Sequence, residues 1–396
     1  MKDGWSIKTL KEVCLDFIVP QRDKPTSFDG DIPWCRIEDI EGRYLNGSKS
    51  GKMVTHELAE KMNMHLCPKG TVISACSASI GNQAITTVDC YTNQTFIGLV
   101  ADPKILNNIY LYYFLESQKS ALCELGMGAT IKYISQDKYK RMQIPIPSLS
   151  EQQRIVDILD EAFEKIDVLK ANAEQNLQDA KALFQAALRE ELEPKDGWKT
   201  VCIGDIAEIK GGKRVPKGYK LETTPTGYPY IRVADFNENG SVDTDDIHYI
   251  SKEVHNAIKR YIITTEDIYI SIAGTIGKSG IIPEELNGAN LTENACRLVL
   301  KGNLNNKYIY YCTINKTFKK QISKLTMQAA QPKLAITRLA TATLNIPSRK
   351  DQDRIVEVLN NLNDRCKALQ TNYDKTLTLC DDLKQALLRK AFNGEL

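Results

Sequence analysis

Glu151-Gln152-Gln153-Arg154-Ile155-Val156 and Asp351-Gln352-Asp353-Arg354-Ile355-Val356 are near copies, and each follows an Ile-Pro-Ser, at 146–148 and at 346–348. Two equivalent endings 200 positions apart in a chain of 396 residues make an internal repeat with a period of half the chain. The beginnings agree as well. Lys2-Asp3-Gly4-Trp5 returns as Lys195-Asp196-Gly197-Trp198, and Ile32-Pro33-Trp34-Cys35-Arg36-Ile37 is echoed by Tyr228-Pro229-Tyr230-Ile231-Arg232-Val233 in the same order. A chain of this length exceeds what one hydrophobic core usually serves, so two domains of one kind are expected.

Each unit changes character at its Ile-Pro-Ser. Before it, β-branched and aromatic residues are punctuated by Gly, Pro and Asn, as in Gly70-Thr71-Val72-Ile73-Ser74 and Asp267-Ile268-Tyr269-Ile270-Ser271, which predicts short strands and turns. After it, an apolar stripe in steps of four and three runs Ile155, Leu159, Ala162, Ile166, Leu169, Ala173, Asn176, Ala180, Leu183, Ala187. The second copy keeps the register through Ile355, Leu359, Leu362, Cys366, Leu369, Tyr373, Thr376, Cys380, Leu383 and Leu387. A stripe sustained over so many turns predicts a coiled-coil seam between the two helices. The second globular domain starts almost at once after Glu193-Pro194, so the second helix must start near the end of the first, and the pair is expected to be antiparallel. About 40 residues at 1.5 Å rise give a spacer of about 60 Å. The expected fold is α+β: two similar, strand-rich mixed domains at 1–148 and 194–348, separated by an antiparallel two-helix coiled coil formed by 149–193 and 349–396, with pseudo-two-fold internal symmetry.

Composition excludes several function classes. Hydrophobic residues make up 42% and charged residues 26%, ordinary for a folded soluble protein. No run of eighteen apolar residues occurs and the N-terminus begins polar, so a cytoplasmic protein without membrane contact is expected. Eleven cysteines at scattered spacing, none in a C-x-x-C pair, read as reduced thiols, and the four histidines offer no zinc set, so no metal is expected. Gly274-Thr275-Ile276-Gly277-Lys278-Ser279 imitates the end of a phosphate-binding loop, but the required first glycine falls at Ile272. It reads as a hairpin turn, like Ser79-Ile80-Gly81-Asn82 in the first unit. No Asp/Asn/Ser-Pro-Pro-Tyr/Phe motif of an amino-methyltransferase and no strand-borne G-x-G-x-x-G is present. Carboxylates crowd the first helix segment, where 11 acidic residues face 5 basic ones, as a solubility or docking surface. The chain is therefore expected to be non-catalytic and to bind no cofactor of its own.

Charge is unevenly shared. Residues 1–148 hold 17 basic against 16 acidic side chains, and 194–348 hold 21 against 15. In the latter, Lys210-Gly211-Gly212-Lys213-Arg214-Val215-Pro216-Lys217-Gly218-Tyr219-Lys220 joins five cations to glycines that would let backbone approach phosphates.

This pattern resembles the DNA-specificity subunits of type I restriction-modification systems. The resemblance rests on the Trp-containing openings at Trp5 and Trp198, the Ile-Pro-Trp and Tyr-Pro-Tyr segments, and the Ile-Pro-Ser endings before Glu-Gln-Gln-Arg-Ile and Asp-Gln-Asp-Arg-Ile. It is completed by Phe392-Asn393-Gly394-Glu395-Leu396, of which Arg189-Glu190-Glu191-Leu192 is a degenerate internal copy. It implies two target-recognition domains, each reading half of a bipartite, asymmetric site in double-stranded DNA. It also implies a spacer on which two modification subunits dock, these carrying S-adenosylmethionine and flipping the target adenine, with restriction subunits joining for cleavage. Basic side chains would hold phosphates, and polar ones would read base edges. The expected DNA-binding residues are Arg22, Lys24, Arg36, Lys49, Lys52, Lys132 and Lys138 in the first domain. In the second they are Lys213, Arg214, Lys217, Arg232, Lys278, Gln328, Gln331 and Lys333. Arg36 and Arg232, at equivalent repeat positions, have a structural alternative, a salt bridge shared by both folds. The rival from another class is a coiled-coil scaffold whose globular domains bind protein partners, and steep salt dependence of duplex binding separates the two.

Overall fold

The computed structural model describes residues 4–20, 23–77, 79–125, 133–326 and 332–396. The chain forms two compact units, residues 1–174 with 374–396, and residues 175–373. Both cuts pass through the two long helices, Leu149–Glu191 and Arg349–Asn393, so each unit owns a globular part and a piece of each helix.

In the first unit a sheet runs in the order Cys14–Ile18, Phe96–Ala101, Val72–Ala75, Gln83–Thr86, Tyr44–Leu45, Ile40–Glu41. The second unit repeats its centre as Ala207–Gly211, Ala295–Leu300, Ile268–Ser271, Ser279–Gly280. Alternation along these strands gives each sheet two cores. Val72, Ile97 and Leu99 pack with Tyr110, Ile155, Leu159 and Leu388, whereas Ile73 and Phe96 pack on the other face with Cys35 and Leu45. Likewise Ile268 and Ile270 join the helix-side core of the second unit, and Tyr269 the opposite one. A smaller three-stranded sheet accompanies each: Ile32–Cys35 is antiparallel to Met53–Val54 and parallel to Tyr91–Thr92, and Pro229–Ile231 is antiparallel to His248–Tyr249 and parallel to Asn290–Leu291.

The repeated Ile-Pro-Ser is the joint between globular part and helix. Ser148 and Ser348 cap the long helices, accepting from the backbone N–H of Glu151 and Asp351 at 3.2 Å each. Buried Gln152 then turns back: its Oε1 accepts from the Asn107 N–H at 2.9 Å, and its Nε2 donates to the carbonyls of Ile105 and Pro147. Gln352 does the same with Asn305 and Pro347. Asn107 and Asn305 in turn cap the helices Asn108–Ser117 and Asn306–Ile314, whose Tyr110 and Tyr308 donate to the carbonyls of Pro145 and Asn345.

Within each unit the helix pieces run antiparallel. In the first, Lys170 meets Asp381 at 2.9 Å and Lys384 meets Asp167 at 2.5 Å, so one number rises as the other falls. In the second, Arg354 meets Glu191 at 3.1 Å, and Leu188 and Leu192 share a core with Ile355, Val356 and Leu359. The seam differs from the one read from the leucines. Ile155, Leu159, Ile166, Ala173, Ala180, Ile355, Leu359, Cys366 and Cys380 are buried, and Leu362 and Leu387 are half-buried. Leu169, Leu183, Leu369 and Leu383 are instead 55%, 53%, 40% and 49% exposed. Between Leu159, Ile166, Ala173 and Ala180 the alternation can take its intermediate step after three residues or after four. Here it takes four, through Phe163, Lys170, Leu177 and Phe184, all less exposed than the leucines. Lys170 can occupy a half-buried inner position because a long stem carries its amine out to Asp381. The leucines thus lie beside the seam rather than in it.

The units differ at one corner. In the first, the hairpin Ile40–Glu41 and Tyr44–Leu45 adds to the sheet by parallel pairing with Gln83–Thr86. Its Arg43 reaches Asp160 of the long helix, to which the Tyr113 hydroxyl also donates. In the second unit a tight turn bridges Phe236 and Val242 there, and Tyr311 donates to Asn360 at 2.7 Å. Gly240 in that turn has φ +73°, and a Cβ would fall 1.9 Å from the Tyr310 hydroxyl.

Candidate nucleic-acid interface

Sheet topology sorts the loops of each unit to two ends. Ala75 pairs with Phe96 and Ile18 with Gly98, so the connections leaving Ile18, Ala75 and those entering Phe96 and Gln83 share one end. The other end carries Gly70, Asp102 and Asn107, where Gln152 anchors the long helix. In the second unit Gly211 pairs with Cys296 and Ser271 with Ala295, which puts the loops after Gly211 and Ser271 at the end away from Asn305 and Gln352. Each globular part is therefore held at one end and presents loops at the other, an arrangement suited to recognition.

In the first unit the loop leaving Ile18 delivers Phe28 against Trp34, with ring centroids 5.4 Å apart. Three predicted cations converge on these rings: Lys24 lies 5.7 Å from Phe28, Lys52 lies 5.4 Å from Phe28 and 5.6 Å from Trp34, and Arg36 lies 5.9 Å from Trp34. Arg36 also meets Glu38 at 2.6 Å, and its buried Nε makes no hydrogen bond among the described residues. Lys49 pairs with Glu41 at 3.3 Å, while Lys138 donates to the Leu125 carbonyl at 2.6 Å. Arg22 and Lys132 lie outside the described residues.

In the second unit the basic loop begins with Gly211-Gly212. The glycines serve the protein itself: a Cβ on Gly212 would stand 2.0 Å from the Thr292 carbonyl, and the N–H groups of Gly212 and Lys213 donate to Ala295 and Leu291. At Gly212 the backbone is thus taken up within the fold, whereas Gly218, at φ +98°, has open space where a Cβ would stand. Their side-chain neighbours remain outward. Lys213 has its amine 5.8 Å from the Tyr261 ring, Lys217 is exposed, and Arg214 pairs with Glu293 at 2.6 Å while 79% exposed. Burial works to raise the Glu293 carboxyl, but the Arg214 hydrogen bond and charge hold it below its ordinary value.

Arg232 is differently placed. Its guanidinium grips the buried Asp235 through Nε and Nη2, at 3.1 and 2.6 Å, and donates to the Asp246 carbonyl, with His248 3.3 Å away. The hydrogen bonds to Asp235 hold the guanidinium protonated above its ordinary range. Lys278 is likewise engaged, with Glu238 at 3.0 Å and the Phe236 carbonyl. Its loop is a hairpin turn, Gly277 N–H donating to the Ser271 carbonyl at 2.9 Å, with Gly274 and Gly277 at positive φ. Lys333 is exposed and its backbone bridges Ala273, so Lys278 and Lys333 flank one loop. Gln328 and Gln331 lie outside the described residues.

Reading the sequence missed the Gln152 and Gln352 latches, the Arg43–Asp160 contact, and the lysines of the helix Lys316–Leu325. Burial pushes the thiols of Cys76 up to about 11 and of Cys67, Cys296 and Cys312 up to about 12, which leaves them as core packing. Among the described residues no helix is long and apolar enough to cross a membrane, and no three His, Cys, Asp or Glu side chains cluster to hold a metal.

The family described as type I restriction modification DNA specificity domain matches twice, over residues 2–178 and 195–379. Among curated relatives, the MjaIX specificity subunit of Methanocaldococcus jannaschii is 23% identical over 99% of this chain and 93% of its own length. The EcoBI specificity subunit of Escherichia coli is 25% identical over 73% of this chain and 66% of its own. A solved structure describing complex assembly and conformational transition of a type I restriction-modification system aligns over 100% of this chain and 99% of its own, at 20% identity and TM-score 0.81. The HsdS subunit of Thermoanaerobacter tengcongensis aligns over 100% and 98%, at 20% identity and TM-score 0.62. The chain belongs to the type I restriction-modification DNA-specificity family, and it is the specificity subunit, non-catalytic by family, of such a system.

Proposed function

We propose that each unit reads one half of a bipartite, asymmetric DNA site through the loops at the free end of its sheet. The helical spacer fixes the gap and seats two modification subunits, and S-adenosylmethionine belongs to those subunits. Restriction subunits complete the assembly for cleavage, in the cytoplasm. The observation that carries this reading is the repeated polarity of the two globular parts: basic, aromatic-lined loops at one end, a helix latched by a buried glutamine at the other.

The exposed leucines beside the seam support two docking places. In an antiparallel pair the positions flanking the seam on one side face each other. The ion pairs of the first unit set Leu169 level with Leu383, and the repeat sets Leu369 in the second unit at the place equivalent to Leu169, with Leu183 at that of Leu383. Each unit thus carries two half-exposed leucines beside its seam, a surplus of apolar surface that further helices can cover. One such patch per unit fits two copies of one partner.

Co-purification with the modification subunit, followed by genome-wide mapping of methylated adenines, tests the proposal. A bipartite motif with a fixed gap is the expected result. A stable complex that methylates no defined motif would favour a scaffold.

A further inference from the structure

The excess positive charge of the second domain is concentrated. Residues 301–348 contain eight lysines and arginines and no aspartate or glutamate, whereas the corresponding stretch 102–148 holds six basic and four acidic residues. Half of the eight lie on one helix, Lys316–Leu325. Phe318 and Ile322 anchor it in the core, and Gln321 exchanges hydrogen bonds with the backbone of Thr343. Lys316, Lys319, Lys320 and Lys324 are thereby left on the outer face, all exposed and without a carboxylate partner among the described residues. The spacing of three, four and eight residues from Lys316 keeps them on one side of the helix.

Position gives the face a meaning. The helix begins beside Asn315, whose amide reaches the carbonyl of Leu188 on the first long helix. It ends beside the hairpin loop Thr275–Lys278, with which Lys319, Ile322 and Thr326 line one cleft. That loop belongs to the free end of the sheet. The lysines therefore make a track running from the recognition loops back along the domain. The matching helix of the first unit, Lys119–Leu125, carries a single lysine and Glu124.

We infer that Lys316, Lys319, Lys320 and Lys324 form a phosphate track that grips the DNA backbone beside the second half-site, making the second unit the electrostatic anchor of the complex. The inference rests on the DNA-binding reading proposed above. Its ligand chemistry is a row of phosphodiesters. Unpaired ammonium groups in line suit that target, since each contact releases counterions without any demand on base sequence.

The test is duplex binding by the full chain as a function of salt, with a random-sequence duplex of about 40 base pairs. The variant carries Lys316→Gln, Lys319→Gln, Lys320→Gln and Lys324→Gln, and a control of equal charge change carries Lys11→Gln, Lys61→Gln, Lys69→Gln and Lys104→Gln. Loss of four contacts lowers the slope of log K against log salt by about 3 to 4 in the variant and leaves the control near wild type. An unchanged slope overturns the track, and an unchanged slope with lost capture of the modification subunit reassigns the face to a protein contact. Should the wild-type chain itself show no salt-dependent duplex binding, it is the DNA-binding reading that fails.

Discussion

Arg36 and Arg232 stand at the same place in the two units, each before a short 3-10 helix whose last residue, Asp39 or Asp235, is a buried aspartate accepting from the arginine N–H. Beyond the backbone they part. Arg232 spends its guanidinium on Asp235, while Arg36 leans over Trp34 and, among the described residues, has exposed Glu38 as its carboxylate partner. The repeat has preserved the turn and released the side chain. A shared scaffold with unshared tips is what a protein reading two different half-sites requires.

The comparison breaks most decisively if the tips do not set specificity. Replacing residues 195–348 with the corresponding domain of another family member is expected to exchange one half of the methylated motif and leave the other half and its gap intact. Mapping of methylated adenines decides it, and change in both halves would sink the two-reader arrangement. Next in size is the spacer. Leu169→Asp with Leu383→Asp removes one apolar patch, and since a buried leucine contributes about 1.5–3 kcal/mol, affinity for one modification subunit should fall about 100-fold. Mass measurement of the complex should then find one bound subunit instead of two.

The arginines themselves sharpen the contrast. Arg232→Ala strips a buried carboxylate of its guanidinium and is expected to cost about 2–3 kcal/mol, lowering the melting temperature by about 5 °C or more. Arg36→Ala is expected to cost within about 1 kcal/mol, because the carboxylate it leaves behind, Glu38, is exposed to water and the other loss is a cation–π contact. Its effect should fall on duplex binding instead, with the salt slope reduced by about 1. Melting and binding curves for both variants read the two outcomes, and equal destabilisation would mean that Arg36 is structural too.

How much of this was legible in the sequence follows from how local each signal is. Ser148, Gln152 and Arg154 repeat at 348, 352 and 354 because a cap, a latch and a helix-end contact recur within a few residues, so the joint announced itself as a motif. The strands at Val72 and Ile268 were equally plain, being apolar runs beside glycine or aspartate. The helix face was not, because Lys170 looks polar and Leu169 apolar, and only the partner Asp381 reveals that the lysine is the inner residue. The partner of Gln152 is 45 residues away, and that of Arg43 is 117 away, beyond any local pattern. The lysines of the helix Lys316–Leu325 are hidden in the net charge of a whole domain, where acidic residues before position 301 dilute them.

The smallest effect lies at Glu293, two residues before the strand Ala295–Leu300, where the first unit has Gln94 two residues before Phe96–Ala101. Glu293 occupies Arg214, a cation otherwise open to solvent at the recognition end. Its carboxyl is held below the ordinary value of 4.5, so it stays ionised and paired throughout the neutral range. Whatever stability the pair contributes is full above the unfolded value near 4.5 and is lost as pH falls through the lowered folded value. On the DNA-binding reading proposed above, phosphate competes with this carboxylate for the guanidinium. Glu293→Gln copies the first unit's solution, and duplex affinity should rise about two- to fivefold at low salt, the scale of one exposed ion pair. It should also remove the acid-side loss. A fall in affinity would show that Glu293 aims Arg214 at the DNA rather than withholding it.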